Sequence, residues 1–142
     1  MVWGQISILD IIRTPKDITP PGTYIMQIAS GDDHIAMLTS TGVCYTLGEN
    51  YEGQLADGTK FSRNTPIIAR KDVKGIATHI QGTFLIDSTA VELWGSSAFP
   101  REVDTTFKAM IDIPETVTSI TSGVLFSFIL TETGKLYSTG MN

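Results

Sequence analysis

The sequence predicts an all-β protein, a partial β-propeller of about three four-stranded antiparallel blades that form an incomplete ring. Three observations predict this fold class. A segment recurs along the chain at a fixed spacing, the period is roughly 45 residues, and each copy reads as strand, turn and strand.

The recurrence is clearest between residues 28–50 and 120–142, which align without a gap at a spacing of 92 residues. Ten of the aligned positions are identical, which is well beyond chance. Because 92 is twice 46, an intermediate copy is expected, and Ile76–Gly95 supplies a degenerate one. In this copy His79 falls where Gly31 would align, and one residue is lost before Trp94.

A closing glycine marks the same phase in each copy and also occurs near the N-terminus. The markers are Gly4, Gly48, Gly95 and Gly140, separated by 44, 47 and 45 residues. This period is typical of propeller blades of four short strands. The predicted units are residues 1–4 as the closing strand of a preceding blade, 5–48 as the first blade, 49–95 as a second, degenerate blade, 96–140 as the third blade, and 141–142 as the start of a further repeat.

Each full copy predicts two strands joined by a tight turn. In the first copy the strands are residues 35–38 and 43–47, and in the last they are 126–130 and 135–139. Gly42 and Gly134 stand where a hairpin turn needs a positive φ angle. The unbroken apolar run of the first strand predicts burial on both of its faces. Residues 104–113 are expected to be loop or strand, because Pro114 and β-branched neighbours disfavour a helix.

A family resemblance is carried by residues 48–58, Gly-Glu-Asn-Tyr-Glu-Gly-Gln-Leu-Ala-Asp-Gly, and by Thr65-Pro66 before an apolar strand. This stretch closely resembles the regulator-of-chromosome-condensation repeat, and Gly31-Asp32-Asp33-His34 resembles the Gly-x-x-His element of that family. The resemblance implies a propeller that typically has seven blades. It also implies structural roles, with the binding residues left unknown, for Gly31, His34, Gly42, Gly48, Asn50, Gly53, Gln54, Leu55, Gly58, Trp94, Gly95, Gly123, Gly134, Gly140 and Asn142.

Three departures from the family pattern stand out. Ala56 replaces a glycine, Phe126 occupies the histidine position of the last copy, and the middle copy has neither the Gly-x-x-His nor the Gly-Gln-Leu element. Trp3 and Trp94 precede phase-marking glycines and are expected to pack within or between blades.

About three blades would form a wedge with two open, apolar faces, and something must cover them. Three alternatives stay open: the sequence is a piece of a longer chain, copies of it assemble with each other, or another protein supplies the missing surface. Both ends lie at the same phase of the repeat, which favours a longer chain, with assembly as the main rival.

The composition limits the classes of binding partner and the cellular compartments that fit this chain. The formal charge of -5 and the pI of about 4.8 disfavour nucleic acid and anionic membranes as ligands. Cys44 is the only cysteine, so an intrachain disulfide is excluded and a thiolate metal cluster is not expected. The longest apolar run, residues 124–130, is too short to cross a bilayer. We expect an intracellular, soluble protein or a component of a large assembly.

Candidate chemistry is sparse, so we expect no enzyme activity, no cofactor and no small-molecule substrate. His34 beside Asp32 and Asp33 could suggest a metal site, but too few ligands are spaced for one, and no metal is expected. Neither a nucleophile elbow nor a phosphate-binding Gly-Lys-Ser/Thr element occurs.

The predicted function is therefore that of a protein-protein interaction module. Its partners would be proteins, or further copies that cover the open blade faces. One alternative is a structural subunit of a large multi-chain assembly such as a virion. Another, implied by the resemblance alone, is a fragment of a guanine nucleotide exchange factor.

Overall fold

The computed structural model describes residues 15–88, 90–95, 108–124 and 126–140. Across these ranges the secondary structure is all β, which confirms the predicted class. The strands are β1 (Ile25–Ser30), β2 (His34–Thr39), β3 (Cys44–Gly48), β4 (Arg63–Arg70), β5 (Gly75–His79), β6 (Gly82–Ile86), β7 (Val91–Gly95), β8 (Lys108–Ile111), β9 (Val117–Ser122), β10 (Phe126–Thr131) and β11 (Leu136–Gly140).

The strands form three antiparallel sheets. The first sheet has the order β1-β2-β3-β4, the second has β5-β6-β7-β8, and the third has β9-β10-β11 among the described residues. Their hairpins share one register, since Ile28 pairs with Met37, Ile76 with Leu85, and Ile120 with Ile129. The partial propeller and its repeat are thereby confirmed, and the degenerate middle copy folds like its neighbours.

The sheets are offset from the repeat units that the closing glycines define. The predicted boundary after Gly48 falls between β3 and β4, inside the first sheet, and the boundary after Gly95 falls inside the second. The closing glycines therefore mark the repeat in the sequence, but each sheet takes its last strand from the residues that follow the closing glycine. Residues 1–4, with Trp3, and residues 141–142 lie outside the described residues.

Each sheet has two faces, which we name by their neighbours. The forward face contacts the next sheet along the chain, and the rear face contacts the preceding one. Because strand side chains alternate between faces, one hairpin serves both contacts. We call the contact between two neighbouring sheets a joint. At the first joint, between the first and second sheets, small forward side chains such as Ala36 and Cys44 pack against Ile76, Leu85 and Trp94.

The second joint has larger forward side chains and is equally apolar. Phe84, Val91 and Leu93 of the second sheet pack against Ile120 and Ile129 of the third. The fold therefore has a core at each joint rather than a single central core.

Burial on both faces holds for the inner strand of the first sheet but not for that of the third. In β2 five of six residues are buried, whereas in β10 buried and exposed residues alternate. The expectation for Phe126–Leu130 was therefore wrong. Its reason is physical: among the described residues no sheet covers the forward face of the third sheet.

The closing glycines are required by a close approach of the backbone. A Cβ on Gly48 would lie 2.3 Å from the Asp33 carbonyl oxygen, and one on Gly95 would lie 2.3 Å from that of Gln81. In each of these two sheets the turn between the first two strands thus passes directly over the end of the third.

Replacement of Gly42 or Gly134 by alanine should distinguish the cost of a positive φ angle from the cost of steric crowding by the added Cβ. Gly42 and Gly134 have φ of 80° and 81°, but only at Gly42 would a Cβ meet neighbouring backbone, 3.3 Å from the Val73 carbonyl oxygen. We expect Gly134→Ala to lower the free energy of unfolding by about 1–2 kcal/mol, and Gly42→Ala to lower it further. Urea denaturation measures both.

Asparagine tolerates the left-handed backbone region better than alanine does, so Gly134→Asn is the control and should be the milder change. Equal stability of Gly134→Ala and the parent chain would contradict the assigned turn.

Candidate functional site

The loop between β3 and β4, residues 49–62, is organised around one buried asparagine. Asn50 is fully buried, and its Oδ1 accepts a hydrogen bond from the Leu55 amide at 2.9 Å. Its Nδ2 donates to the carbonyl oxygens of Thr59 and Phe61 at 3.0 and 3.1 Å. One side chain thus ties three distant points of the loop together.

Asp57 closes the same loop from the other side. Its Oδ1 accepts hydrogen bonds from the Thr59 amide and hydroxyl, and its Oδ2 lies 3.0 Å from the Arg63 guanidinium. Burial alone would raise the pKa of Asp57, but the hydrogen bonds from Thr59, Arg63 and Asn50 outweigh it and lower the pKa. The carboxylate therefore stays charged and holds the loop in a single conformation.

The loop is also bonded to the second sheet through a threonine hydroxyl. Thr83, fully buried in β6, donates from Oγ1 to the Gln54 carbonyl oxygen at 2.7 Å. The same oxygen lies 2.9 Å from Nε2 of His34. Because the hydroxyl has one hydrogen, which it gives to Gln54, His34 must be the donor in the second bond. His34, Thr83 and Gln54 thus form one hydrogen-bonded chain across the first joint.

Two histidine rings pack over glycines: that of His34 lies at the first joint, and that of His79 lies on the opposite, forward face of the second sheet beside Phe84. A Cβ on Gly31 would lie 2.3 Å from Cε1 of His34, and one on Gly82 would lie 2.2 Å from Nε2 of His79. Nδ1 of His34 and Nε2 of His79 are buried without a hydrogen-bond partner. Burial lowers the pKa of His34 to about 4, and burial likewise lowers the pKa of His79. Both rings are neutral at pH 7.

The middle copy contains the same two residue types in reverse order. Where the first copy has Gly31 and His34, the aligned positions carry His79 and Gly82. The ring-over-glycine contact is therefore present in both sheets, although the Gly-x-x-His pattern is absent from the second. The sequence signal was available as His-x-x-Gly at the same two positions.

A second polar group at the first joint is an ion-pair cluster. Glu92 is buried, and its carboxylate lies 2.5 Å from the Arg70 guanidinium, 2.7 Å from the Lys108 amine and 2.9 Å from Nε1 of Trp94. Burial would raise the pKa of Glu92, but these hydrogen bonds and the two cations outweigh it and lower the pKa. A carboxylate held charged in this way is a structural group rather than a proton donor.

Gln27 adds a third polar contact across the first joint. Its side-chain amide donates to the Ile76 carbonyl at 2.8 Å and accepts from the Ile76 amide at 3.2 Å. The backbone of β5 is therefore fixed to β1 by a side chain.

The surface of the ordered loop presents two aromatic side chains to solvent. Tyr51 is 69% exposed and Phe61 is 71% exposed. Exposed aromatic side chains on a preorganised loop are typical of protein-binding surfaces, because little conformational entropy is lost when a partner binds. This surface is the candidate functional site.

The predicted motif residues divide into three groups. Gly31, His34, Gln54 and Gly95 meet at the first joint, where Gly95 faces Gln54. A second group, formed by Asn50, Gly53, Leu55 and Gly58, builds the loop. The remaining residues are spread over the fold: Gly42 and Gly134 lie at hairpin turns, Gly123 lies in the turn between β9 and β10, Gly48 and Gly140 end β3 and β11, Trp94 lies in the core of the first joint, and Asn142 lies outside the described residues.

The sequence prediction missed Thr83, Glu92, Gln27, Tyr51 and Phe61. For Thr83 and Glu92 a signal existed, since each is a single polar residue inside an otherwise apolar strand. The described part of the chain contains no group of three or more His, Cys, Asp or Glu residues that could hold a metal ion. Within those same ranges no helix is long and apolar enough to cross a membrane.

Comparison with known proteins gives a family match in two places. The profile of the Regulator of chromosome condensation (RCC1) repeat matches residues 25–54 and 117–142. Among characterised sequences, the E3 ubiquitin-protein ligase HERC2 of Homo sapiens is 41% identical over 51 residues, which are 35% of this chain and 1% of HERC2.

Two solved structures show the same arrangement of sheets. Prp20p from Saccharomyces cerevisiae, described as binding Gsp1p and histones, superposes with a TM-score of 0.72 at 27% identity over 86% of this chain and 32% of Prp20p. Human WBSCR16 superposes with a TM-score of 0.73 at 21% identity over 84% of this chain and 33% of its own, which shows the fold alone. The chain thus spans about a third of these solved relatives.

Removal of the shared hydroxyl should weaken the first joint. Thr83→Val keeps the shape but leaves the His34 N–H and the Gln54 carbonyl without partners, each worth about 1–3 kcal/mol. We expect the free energy of unfolding to fall by about 2–4 kcal/mol. Thr83→Ser keeps the hydroxyl and is the matched control. Equal losses in the two variants would refute the role of the hydrogen bonds.

Acidification should destabilise the fold between pH 7 and pH 5. The chain has two histidines, and the folded state holds the pKa of His34 at about 4, below the ordinary value of 6.5. The unfolded chain therefore binds more protons in this range, so stability is lost as the pH falls below 6.5. From pH 7 to pH 5, His34 should account for about 2 kcal/mol.

Denaturation at both pH values measures this loss, and His34→Gln, which does not titrate, should remove most of it. A pH dependence that is unchanged in His34→Gln would contradict the assignment to His34.

Proposed function

We propose that this chain, in which residues 25–54 and 117–142 match the regulator of chromosome condensation repeat, is a non-enzymatic protein-protein interaction module, part of a propeller or assembly larger than these 142 residues. The observation that carries the proposal is the rigid 49–62 loop with Tyr51 and Phe61 exposed on its surface.

The geometry supports this function better than catalysis. Among the described residues, the buried titratable groups are accounted for by packing or pairing: Glu92 is held by two cations, and burial raises the pKa of the Cys44 thiol to about 12. The neutral histidines, of which His34 is buried and His79 half-buried, pack against neighbouring side chains and serve the fold. The motif residues are in this proposal structural, and the exposed loop provides the contact.

Two narrower functions belong to the same proposal. The exposed apolar side chains along β1 and on the third sheet favour a structural subunit of a larger assembly. Nucleotide exchange on a small GTPase is supported by the family resemblance, and by the similarity to Prp20p, which is described as binding Gsp1p and histones. The acidic charge of -5 makes direct binding of nucleic acid a poor fit.

Photo-crosslinking from the loop tests the interaction function. A photoreactive phenylalanine placed at Tyr51 or Phe61 in the cell of origin should crosslink to a discrete protein. The same group at Ser88, exposed in a turn of the second sheet, is the control and should not. No discrete protein above the Ser88 control would overturn the proposal.

The double variant Tyr51→Ala/Phe61→Ala should bind the crosslinked protein at least about tenfold more weakly, since exposed aromatic contacts contribute roughly 1–2 kcal/mol each. Its melting temperature should be unchanged, because both side chains are exposed.

A further inference from the structure

The exposed surface around the 49–62 loop carries more negative than positive charge. Residues 31–34 and 49–63, which meet where β3 ends, contain five carboxylates and two cations. The Glu49 amide donates to the Asp33 carbonyl oxygen at 2.8 Å, so the two stretches form one continuous surface. Together they hold three of the five net negative charges of the chain.

Two of these carboxylates are bonded within the loop itself. Asp57 is paired with Arg63 at 3.0 Å, so this pair adds no net charge to the surface. The Glu49 carboxylate accepts a hydrogen bond from the Ser62 hydroxyl at 2.7 Å. Both side chains therefore serve the conformation of the loop.

The other three carboxylates are available to a partner. The side chains of Asp32 and Asp33 are exposed, and that of Glu52 is half-buried. Among the described residues, none of the three forms an ion pair. A carboxylate in this state accepts charge-assisted hydrogen bonds from a cationic group that approaches it.

The two exposed aromatic rings lie beside these carboxylates. Tyr51 precedes Glu52 directly, and the Nδ2 of Asn50 donates to the Phe61 carbonyl oxygen at 3.1 Å, which holds the two sides of the loop together. The face of an aromatic ring attracts a cation through its quadrupole. Ring faces and carboxylates on this surface therefore both favour a positively charged ligand.

Arginine fits both kinds of group at once. Its planar guanidinium stacks on an aromatic ring while its N–H groups donate to a carboxylate in a bidentate pair. Lysine carries a compact, strongly hydrated ammonium that cannot form the bidentate pair. Arginine and tyrosine are also enriched among the residues that contribute most to protein-protein binding.

We infer that the protein partner of the 49–62 loop presents an arginine-bearing segment, whose guanidinium groups stack on Tyr51 and Phe61 and pair with Asp33 and Glu52. The inference rests on the proposed function and adds the charge and the chemistry of the partner. Because the loop is rigid, the rings and carboxylates are in place before the partner arrives, which reduces the entropy lost on binding.

A labelled Arg-Gly repeat peptide tests the inference by fluorescence polarisation. At low ionic strength, Asp33→Asn/Glu52→Gln should bind this peptide about fivefold more weakly than the parent chain, because two exposed ion pairs are lost. At about 1 M salt, where the screening length is about 3 Å, the parent and the variant should bind alike. Circular dichroism checks that the variant is folded.

Asp112→Asn/Glu132→Gln is the matched control. It removes one aspartate and one glutamate charge at exposed positions near the opposite end of the strands, and should leave the affinity for the Arg-Gly peptide unchanged. A Lys-Gly repeat of equal length should bind the parent chain more weakly than the Arg-Gly repeat does. In Tyr51→Ala/Phe61→Ala this preference for arginine should shrink.

Three outcomes would overturn the inference. The first is equal affinity of the parent chain and Asp33→Asn/Glu52→Gln for the Arg-Gly peptide at low ionic strength. The second is an equal loss of affinity in the Asp112→Asn/Glu132→Gln control, and the third is a Lys-Gly peptide that binds as tightly as the Arg-Gly peptide.

The same variants distinguish this inference from the proposed function. A protein that crosslinks from the loop but binds Asp33→Asn/Glu52→Gln as tightly as the parent chain would leave the interaction function standing and refute the arginine-bearing partner. Absence of any crosslinked protein would fail the proposed function, whatever the result with the peptide.

Discussion

The second sheet has two apolar faces, and the need to cover both of them governs how the three sheets stack. An isolated antiparallel sheet can expose one polar face to water, but in the second sheet both sides of the hairpin carry core residues. This sheet therefore needs a neighbour on each side. At the first joint, small side chains of the first sheet pack against large side chains of the second. At the second joint, the forward side chains of the second sheet are themselves large.

The polar contacts of the first joint are subordinate to that packing, yet they set its geometry. His34, Thr83 and Gln54 connect two sheets and the 49–62 loop through one hydroxyl. Because the loop is bonded both within itself and to the next sheet, its exposed surface is held at a fixed position relative to the joint. The hydrogen bonds that fix the conformation of the 49–62 loop therefore also stabilise the contact between the first two sheets.

The sequence was sufficient to predict the two inner strands of the first and last copies and their hairpin turns, because apolar runs and turn glycines act over short distances. It was also sufficient to identify Asn50 and Gln54 as motif residues through the family resemblance. It did not predict the partners of Thr83, Glu92 and Gln27. Those contacts depend on how one sheet is staggered against the next, and sequence spacing carries little information about that stagger.

The solvent exposure of apolar side chains was the other property that the sequence did not predict. The apolar run of the last copy predicted burial on both faces, but Phe126 and Phe128 are exposed because, within the part of the chain that the structure describes, only one face of β10 has a neighbour. Likewise, Ala56 adopts a φ of 57° where the family has glycine, and its methyl group is buried in the first joint.

The different side-chain sizes at the two joints also bear on how a chain of similar repeats folds correctly. Ala36 and Cys44 leave room for Trp94, whereas Phe84 fills its own joint against a sheet that has Thr139 at the tryptophan position. If the first sheet stacked directly on the third, a void would remain, and a cavity in a core is destabilising. The side-chain sizes of the middle repeat thereby match it to both of its neighbours and disfavour direct stacking of the first sheet on the third.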